Sequence, residues 1–362
     1  MYRDSVTFFG RFAGAITLIG ASNMVGAVDL GDRVALNGYG SQSYFQTSAN
    51  LYLDADHRGT WDNNFLGLVG AVTLSDRSKL WAQLEASTEE VTHFTWFFVD
   101  YQLTDSLTAH AGRVKLPLGL YNEIIDAKFL QLSSLEPSLY QTAADFVHDS
   151  YNGVGIDYNQ DAGAAGRILW QVYGGNTHDP AQPINREDRR MVGARITYAT
   201  PVDGLRFLVS AYLTQVDVLG PSTIGNQAEL LPIGLINETR WIGSVDYLRS
   251  DWDLKAEYAT HSFDGVSSYA YYFQAGRTFA DKWTPFVRYD YVTTDKSKMR
   301  NDAYVQKTMV GGVNYRLVGN ISLRAEAQQN LGFALPVASG EQSAATAKRN
   351  WVMLIVGAHF IF

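Results

Sequence analysis

The sequence contains no cysteine, which excludes disulfides, thiolate metal sites, cysteine nucleophiles and a lipid-anchored N-terminal cysteine. It has no run of about 20 uninterrupted apolar residues, so a helical membrane span is not expected. Proline is scarce, at 9 residues in 362, and no Pro-rich, Ser-rich or single-sign charged linker divides the chain, so one domain is the simplest organisation. Basic charge is also short, with 29 Lys and Arg against 37 Asp and Glu and a formal net charge of -8. That balance gives no electrostatic footprint for nucleic acid. No phosphate-cradling Gly-rich loop and no metal-ligand spacing occurs, so no cofactor is expected.

What the chain has in quantity is aromatic residues and glycine: 21 Tyr, 18 Phe, 8 Trp and 32 Gly. Together with short-range alternation of apolar and polar residues, this points to an all-β chain whose strands have two unlike faces. In 321–328, Ile321, Leu323, Ala325 and Ala327 share one face, and Ser322, Arg324, Glu326 and Gln328 share the other. In 205–214, Leu205, Phe207, Val209, Ala211 and Leu213 oppose Arg206, Ser210, Tyr212 and Thr214. The same pattern runs through 80–87, 167–173, 192–198, 252–258 and 283–291. About sixteen such segments can be drawn, each near the ten residues a tilted membrane strand needs.

The connections carry more information than the segments. Short links at 75–78, 104–106, 159–165, 201–204, 249–251, 280–282 and 318–320 alternate with long ones at 48–63, 117–149, 174–189, 215–239, 293–302 and 330–347. The link 86–91 is modest and 261–267 is of middling length. Tight turns on one rim and extended loops on the other are expected of a transmembrane antiparallel β-barrel of about 16 strands, and a soluble sandwich has no reason to alternate in this way. An even strand count puts both termini on the short-turn rim. Trp81, Trp170, Trp241, Trp252, Trp283 and Trp351 fall toward strand ends, as interfacial girdles require.

At the N-terminus, Arg3 and Arg11 precede a weakly apolar run, 12–25, that ends in Val25-Gly26-Ala27. Small residues at the third-last and last positions suit signal peptidase, so a signal peptide over 1–27 is expected, with the barrel occupying 28–362. The last strand, 348–362, carries Val352, Leu354, Val356, Ala358, Phe360 and Phe362 on one face. It resembles the C-terminal strand of bacterial outer-membrane barrels, in which the terminal aromatic is read by the barrel assembly machinery. The resemblance gives Phe362 that role.

The longest link, 117–149, is too apolar to stand in solvent, with Leu118, Leu120, Ile124, Ile125, Phe129, Leu130, Leu132 and Leu135. It is expected to fold inward against the wall. Just before it stands Gly112-Arg113-Val114-Lys115-Leu116-Pro117-Leu118-Gly119-Leu120. This resembles the Gly-Arg-x-Lys-x-Pro-x-Gly-Leu segment of the phosphate-selective porin (O/P-like) family of Gram-negative outer membranes. The match rests on Gly112, Arg113, Lys115, Pro117, Gly119 and Leu120. The resemblance implies a homotrimeric channel of about sixteen strands with an infolded third loop. No dense Arg ladder or Lys cluster accompanies the motif, so phosphate itself is not assigned.

Strand parity gives the inward charges. Arg167, Arg206, Arg288 and Arg324 are wall candidates, and Arg113 and Lys115 join them if Val114 and Leu116 face outward. That choice turns His110 outward, so either a bulge near Gly112 resets the register or one of the two assignments does not hold. Glu123, Asp126 and Lys128 belong to the loop. An acidic loop facing a basic wall sets up a transverse field at a constriction, which selects charged or dipolar solutes. The expected function is therefore passive diffusion of small hydrophilic solutes, leaning toward anions, through a barrel embedded in outer-membrane lipid.

Two other classes fit less well. A barrel acting as sheath or dock for a periplasmic or surface partner would need a partner motif, and none is seen. A barrel hydrolase would need a nucleophile and base placed together. His148, Asp149 and Ser150 are adjacent, but neighbours on a strand point to opposite faces. The chain is accordingly not expected to be an enzyme.

Overall fold

A computed structural model of the chain describes residues 28–29, 33–87, 92–141, 144, 146–178, 186–224 and 227–362. The expected signal peptide, 1–27, lies outside the described residues. A two-residue strand, β1 (Val28–Asp29), precedes β2 (Val34–Thr47), β3 (Thr60–Ser75), β4 (Ser78–Ser87), β5 (His93–Gln102), β6 (Leu107–Lys115), β7 (Ser150–Asp161), β8 (Arg167–His178) and β9 (Arg186–Ala199). The second half comprises β10 (Leu205–Ile224), β11 (Gln227–Arg249), β12 (Trp252–Phe263), β13 (Val266–Arg277), β14 (Trp283–Thr293), β15 (Val305–Val318), β16 (Ile321–Gly332) and β17 (Asn350–Ile361). Each strand from β2 onward pairs antiparallel with the next, and β17 pairs with β2, so sixteen strands close into a barrel.

The alternation seen in the sequence is the alternation of the wall. Along β16, Ser322, Arg324, Glu326, Gln328 and Asn330 are buried and the residues between them are exposed. Polar groups point in and apolar groups point out, the inverse of a soluble sandwich. Trp170, Trp241, Trp252 and Trp283 stand exposed on the outside. Trp81 and Trp351 depart from the expected girdle. Trp81 turns inward to donate to Asp100 Oδ2 at 3.0 Å, and Trp351 is buried, donating to Gly332 O at 2.9 Å.

The short links fall on one rim as expected. On the other rim two expected loops are hairpins instead. Within 215–239 the β10–β11 ladder continues to Ile224 opposite Gln227, and within 261–267 the β12–β13 ladder continues to Phe263 opposite Val266. The second of these turns on Asp264-Gly265, both at positive φ, a two-residue turn whose twist matches the strands it joins. Continuing the ladder satisfies backbone groups that a loop would leave to solvent.

The seam between β17 and β2 rests on two glycines. Phe360 lies over Gly40 and Phe362 over Gly38, so a methyl group at either glycine would overlap a ring. The backbone continues the lock, Gly38 N donating to Phe362 O at 2.7 Å and Phe362 N to Gly38 O at 2.8 Å. Replacing Gly40 by Val should overpack the seat and lower stability by about 1–3 kcal/mol. A urea titration followed by the gel-mobility difference between folded and unfolded barrel reads this directly, and an unchanged midpoint would show that the Phe360 seat carries no weight.

Candidate functional site

The link 117–149 leaves β6 at Lys115 and folds into the barrel, as the described residues show. Its base is tied by Asn122, whose amide donates to Leu116 O at 2.9 Å, His148 O at 3.0 Å and Asp149 O at 3.2 Å. Short 3-10 turns at Asn122–Ile124, Lys128–Leu130 and Ser138–Tyr140 keep it compact. Leu116, Leu118, Leu135, Leu139 and Phe146 are buried in one cluster with wall residues Tyr151, Tyr212, Tyr272, Met353 and Ile355. That contact explains the apolar inner face of β17: it packs against the loop and is not wetted.

Polar wall groups then fasten the loop backbone. Arg288, 1% exposed, donates to Leu135 O at 2.9 Å and Glu136 O at 3.2 Å, while its Nε holds Asp290 at 2.9 Å. Arg324 donates to Ser133 O at 2.9 Å and Lys128 O at 3.0 Å. Glu326 accepts from Ser133 Oγ at 2.6 Å, and Asp290 accepts from Ser138 Oγ at 3.2 Å. Glu257 is the densest of these anchors. It accepts from Ser244 Oγ at 2.6 Å, Tyr140 Oη at 2.7 Å, Tyr272 Oη at 2.8 Å and Leu120 N at 2.9 Å. Burial raises the Tyr140 phenol well above its ordinary pKa, so it remains the neutral donor to that carboxylate. Gly119, at φ 65°, passes so close to Tyr140 and Glu257 that a side chain there would overlap the phenol.

The expected site residues divide sharply. Glu123 pairs with Arg195 at 2.6 Å, and Asp126 pairs with Lys115 at 2.7 Å while accepting from Gln83 at 2.9 Å. Lys115 also holds Asp149, and Lys128 pairs with Glu136. Loop acids and wall bases therefore meet as ion pairs and do not face each other across open solution. Arg206, partly exposed, chelates Asp246 with its Nε at 3.0 Å near the short-turn end. Arg167 keeps the inward parity of Leu169 and Gln171 but stands exposed at that rim, 4.0 Å from Asp161.

Arg113 is a correction. It sits opposite Phe97 in the ladder and lies over that outward ring at 5.6 Å, with Nε on Asn152 Oδ1 at 3.1 Å. The β5–β6 and β6–β7 registers run without a shift, so no bulge resets Gly112. His110 instead faces inward, 2.8 Å from Tyr151 Oη. Lys115 comes inside because the strand ends there and its side chain turns onto the departing loop.

Strand patterning alone does not reveal the grip of Arg195 and Glu257 on the loop, nor the roles of Asn122 and Tyr140. The available signal was the polar residues spaced through an otherwise apolar loop, Asn122, Ser133, Ser134, Ser138 and Tyr140. The external mouth adds two further segments. Asn50 and Lys348 exchange hydrogen bonds of 2.9 and 2.7 Å, and Leu51 N donates to Gln342 Oε1 at 2.9 Å. A short helix, Ala334–Ala338, buries Leu335 in the cluster that holds the loop.

Comparison with protein-family models and with curated proteins finds no match. Solved structures match along nearly the whole chain. Salmonella typhi OmpF in complex with daunomycin aligns at TM-score 0.61 and 14% identity, covering 93% of this chain and 100% of that one. OmpT of Vibrio cholerae in its trimer form aligns at 0.59 and 13%, covering 91% and 100%. An anion-selective porin from Comamonas acidovorans aligns at 0.57 and 14%, covering 91% and 99%. At these identities the likeness establishes the barrel fold.

Replacing Arg288 with Met strips two loop carbonyls of their donors and leaves Asp290 buried without its cationic partner, a loss of about 3–5 kcal/mol for the anchored loop. Hydrogen exchange should accelerate across 130–141 while the strand ladders stay protected. Unchanged exchange there would show that Arg288 is not a clamp.

Proposed function

We propose that this barrel is an outer-membrane channel for passive diffusion of small hydrophilic solutes, with 117–149 as its constriction. The observation that carries the reading is a closed sixteen-strand barrel, polar inside and apolar outside, crossed by a loop that wall charges pin in place. The segment 117–149 reaches down the inner wall to Gly276, Arg324 and His359 near the short-turn end, and Arg206 and the Lys255–Asp253 pair are partly exposed at that same end. The route is therefore narrow, and its conductance is expected to be small for a barrel of this strand number. Lys115, Arg195, Arg206 and Arg288 are each paired with acids, so a lean toward anions is supported by the similar barrel of the anion-selective Comamonas porin and not by an excess of wall bases. A homotrimer is supported by the trimer form of the similar OmpT and by small outward residues Gly311, Ala325, Ala327 and Ala358 on neighbouring strands. Phe362, exposed at the seam, is available to the assembly machinery.

The loop also bears on the other classes. It occupies the space that a partner protein would need inside a sheath. His148 lies 3.9 Å from Glu238 and Asp149 holds Lys115, so with Ser150 they do not form a triad and no hydrolase is proposed.

Planar-bilayer recording of the refolded protein tests the channel. Small discrete ohmic steps are expected, with a reversal potential in a salt gradient of the sign set by anion preference. The Arg288→Met, Arg324→Met double variant should raise step size severalfold by loosening the loop. Silence from folded wild-type and double variant alike would sink the channel reading.

A further inference from the structure

Three wall arginines hold the loop, and one of them meets no acid. Arg288 has Asp290 and Arg195 has Glu123, whereas among the described residues no carboxylate lies within ion-pair distance of the Arg324 guanidinium. Arg324 is 3% exposed, and it donates to two loop carbonyls, Ser133 O at 2.9 Å and Lys128 O at 3.0 Å. Those carbonyls bring hydrogen bonds but no charge. Glu326, the next inward residue of β16, turns instead to Ser133 Oγ at 2.6 Å and Ser134 N at 3.2 Å. A guanidinium held out of water with no counter-charge against it is costly.

The hydrogen bonds of this corner are short of acceptors as well. Arg324 Nε, Ser322 Oγ and His359 Nδ1 are buried with no partner among the described residues, and Ser322 and His359 are 4% and 0% exposed. Register puts the three side chains together. Ser322 lies opposite His359 in the β16–β17 ladder, and Arg324, two residues on along the same inner face, lies opposite Gly357. The imidazole leans over that glycine, its Nε2 3.2 Å from where a Cβ would stand. Ser134 Oγ is 3.1 Å from the same Nε2. With that hydroxyl donating, the ring hydrogen sits on Nδ1, and all three unpartnered atoms are donors.

From a buried cation without an acid and three neighbouring donors without acceptors, we infer a site for one small anion, a halide such as chloride, enclosed between the β16–β17 wall and loop residues 128–134. The ion supplies negative charge to Arg324 and an acceptor to the donors around it. A water molecule would accept hydrogen bonds but leave the guanidinium uncompensated. A phosphate or carboxylate carries several oxygens and needs more donors than these three. It also needs an approach from the lumen, and all three atoms are closed off beneath Ser134 and the loop carbonyls. Held there, the ion fastens the loop from its underside, so halide concentration sets how firmly 128–134 is anchored. The inference rests on the infolded loop and not on conduction.

The test compares the full chain, refolded in detergent, in sodium bromide, sodium chloride and sodium gluconate at equal ionic strength. Above the dissociation constant, each tenfold rise in halide should lower the unfolding equilibrium constant about tenfold at fixed urea. Hydrogen exchange across 128–134 should slow in step, and gluconate should do neither. Crystals grown in bromide should show an anomalous peak within hydrogen-bond distance of Ser322 Oγ, Arg324 Nε and His359 Nδ1. Ser322→Ala keeps the Arg324 bonds to the loop and loses one donor, so it should weaken the halide dependence severalfold, whereas a merely structural serine would leave that dependence unchanged. An ordered water at the corner in place of a peak, a peak on surface lysines as an adventitious ion only, an unaltered halide dependence in Ser322→Ala, or equal stability and exchange in bromide and gluconate would each overturn the site. If Ser322→Ala does not refold, the bromide map and the exchange of the wild type decide alone.

Discussion

The governing constraint is the pairing of backbone polar groups. A strand set with an apolar outer face has no solvent on that side to hydrogen-bond an unpaired edge, so the sheet has to close on itself. Here the closure is made by β17 on β2, from Met353 opposite Thr47 to Ile361 opposite Tyr39. Once it is made, side chains must alternate, and every inward position faces a space wide enough to need filling or wetting. The buried charges, the infolded loop and the interlocked mouth are responses to that space.

Much of the response is electrostatic, and its form matters. A buried arginine that donates to loop carbonyls gains little net stability over a well-packed apolar residue, but it fixes where the loop lies. Arg288 and Arg324 do this from one side, Arg195 through Glu123 from another, and Glu257 gathers Leu120, Tyr140 and Tyr272 from a third. Removing one partner leaves a desolvated charge behind, so the arrangement resists partial loosening. The loop behaves as an interior layer of the barrel with its own apolar core.

The barrel was legible because period-two patterning and the rhythm of short and long links are local properties of sequence. Ile321 to Gln328 shows both faces without any knowledge of partners. What local pattern cannot supply is what an inward side chain will meet. Arg288 and Arg324 were rightly turned inward, yet nothing in their own strands says that loop carbonyls await them. Arg113 failed for a related reason: it was tied to Lys115 by parity, and Lys115 is the residue at which the strand, and so parity, ends. Trp81 and Trp351 misled because tryptophan near a strand end serves a girdle and an inner hydrogen bond equally well. The extended hairpins at Ile224–Gln227 and Phe263–Val266 were hidden because Gly220-Pro221, Pro232 and Gly234 in the first, and Asp264-Gly265 in the second, read as loop.

The glycine seats at the seam also say something about time. Phe360 and Phe362 rest on Gly40 and Gly38, residues more than three hundred positions away along the chain. Among all the ladders in the barrel this one spans the longest stretch of sequence, and its loop-closure entropy is correspondingly the greatest. Every other strand can find its partner beside it in the chain. The last strand and the first have to wait for each other, so the two small residues on β2 act as a latch, shaped to receive the end of the molecule when it arrives.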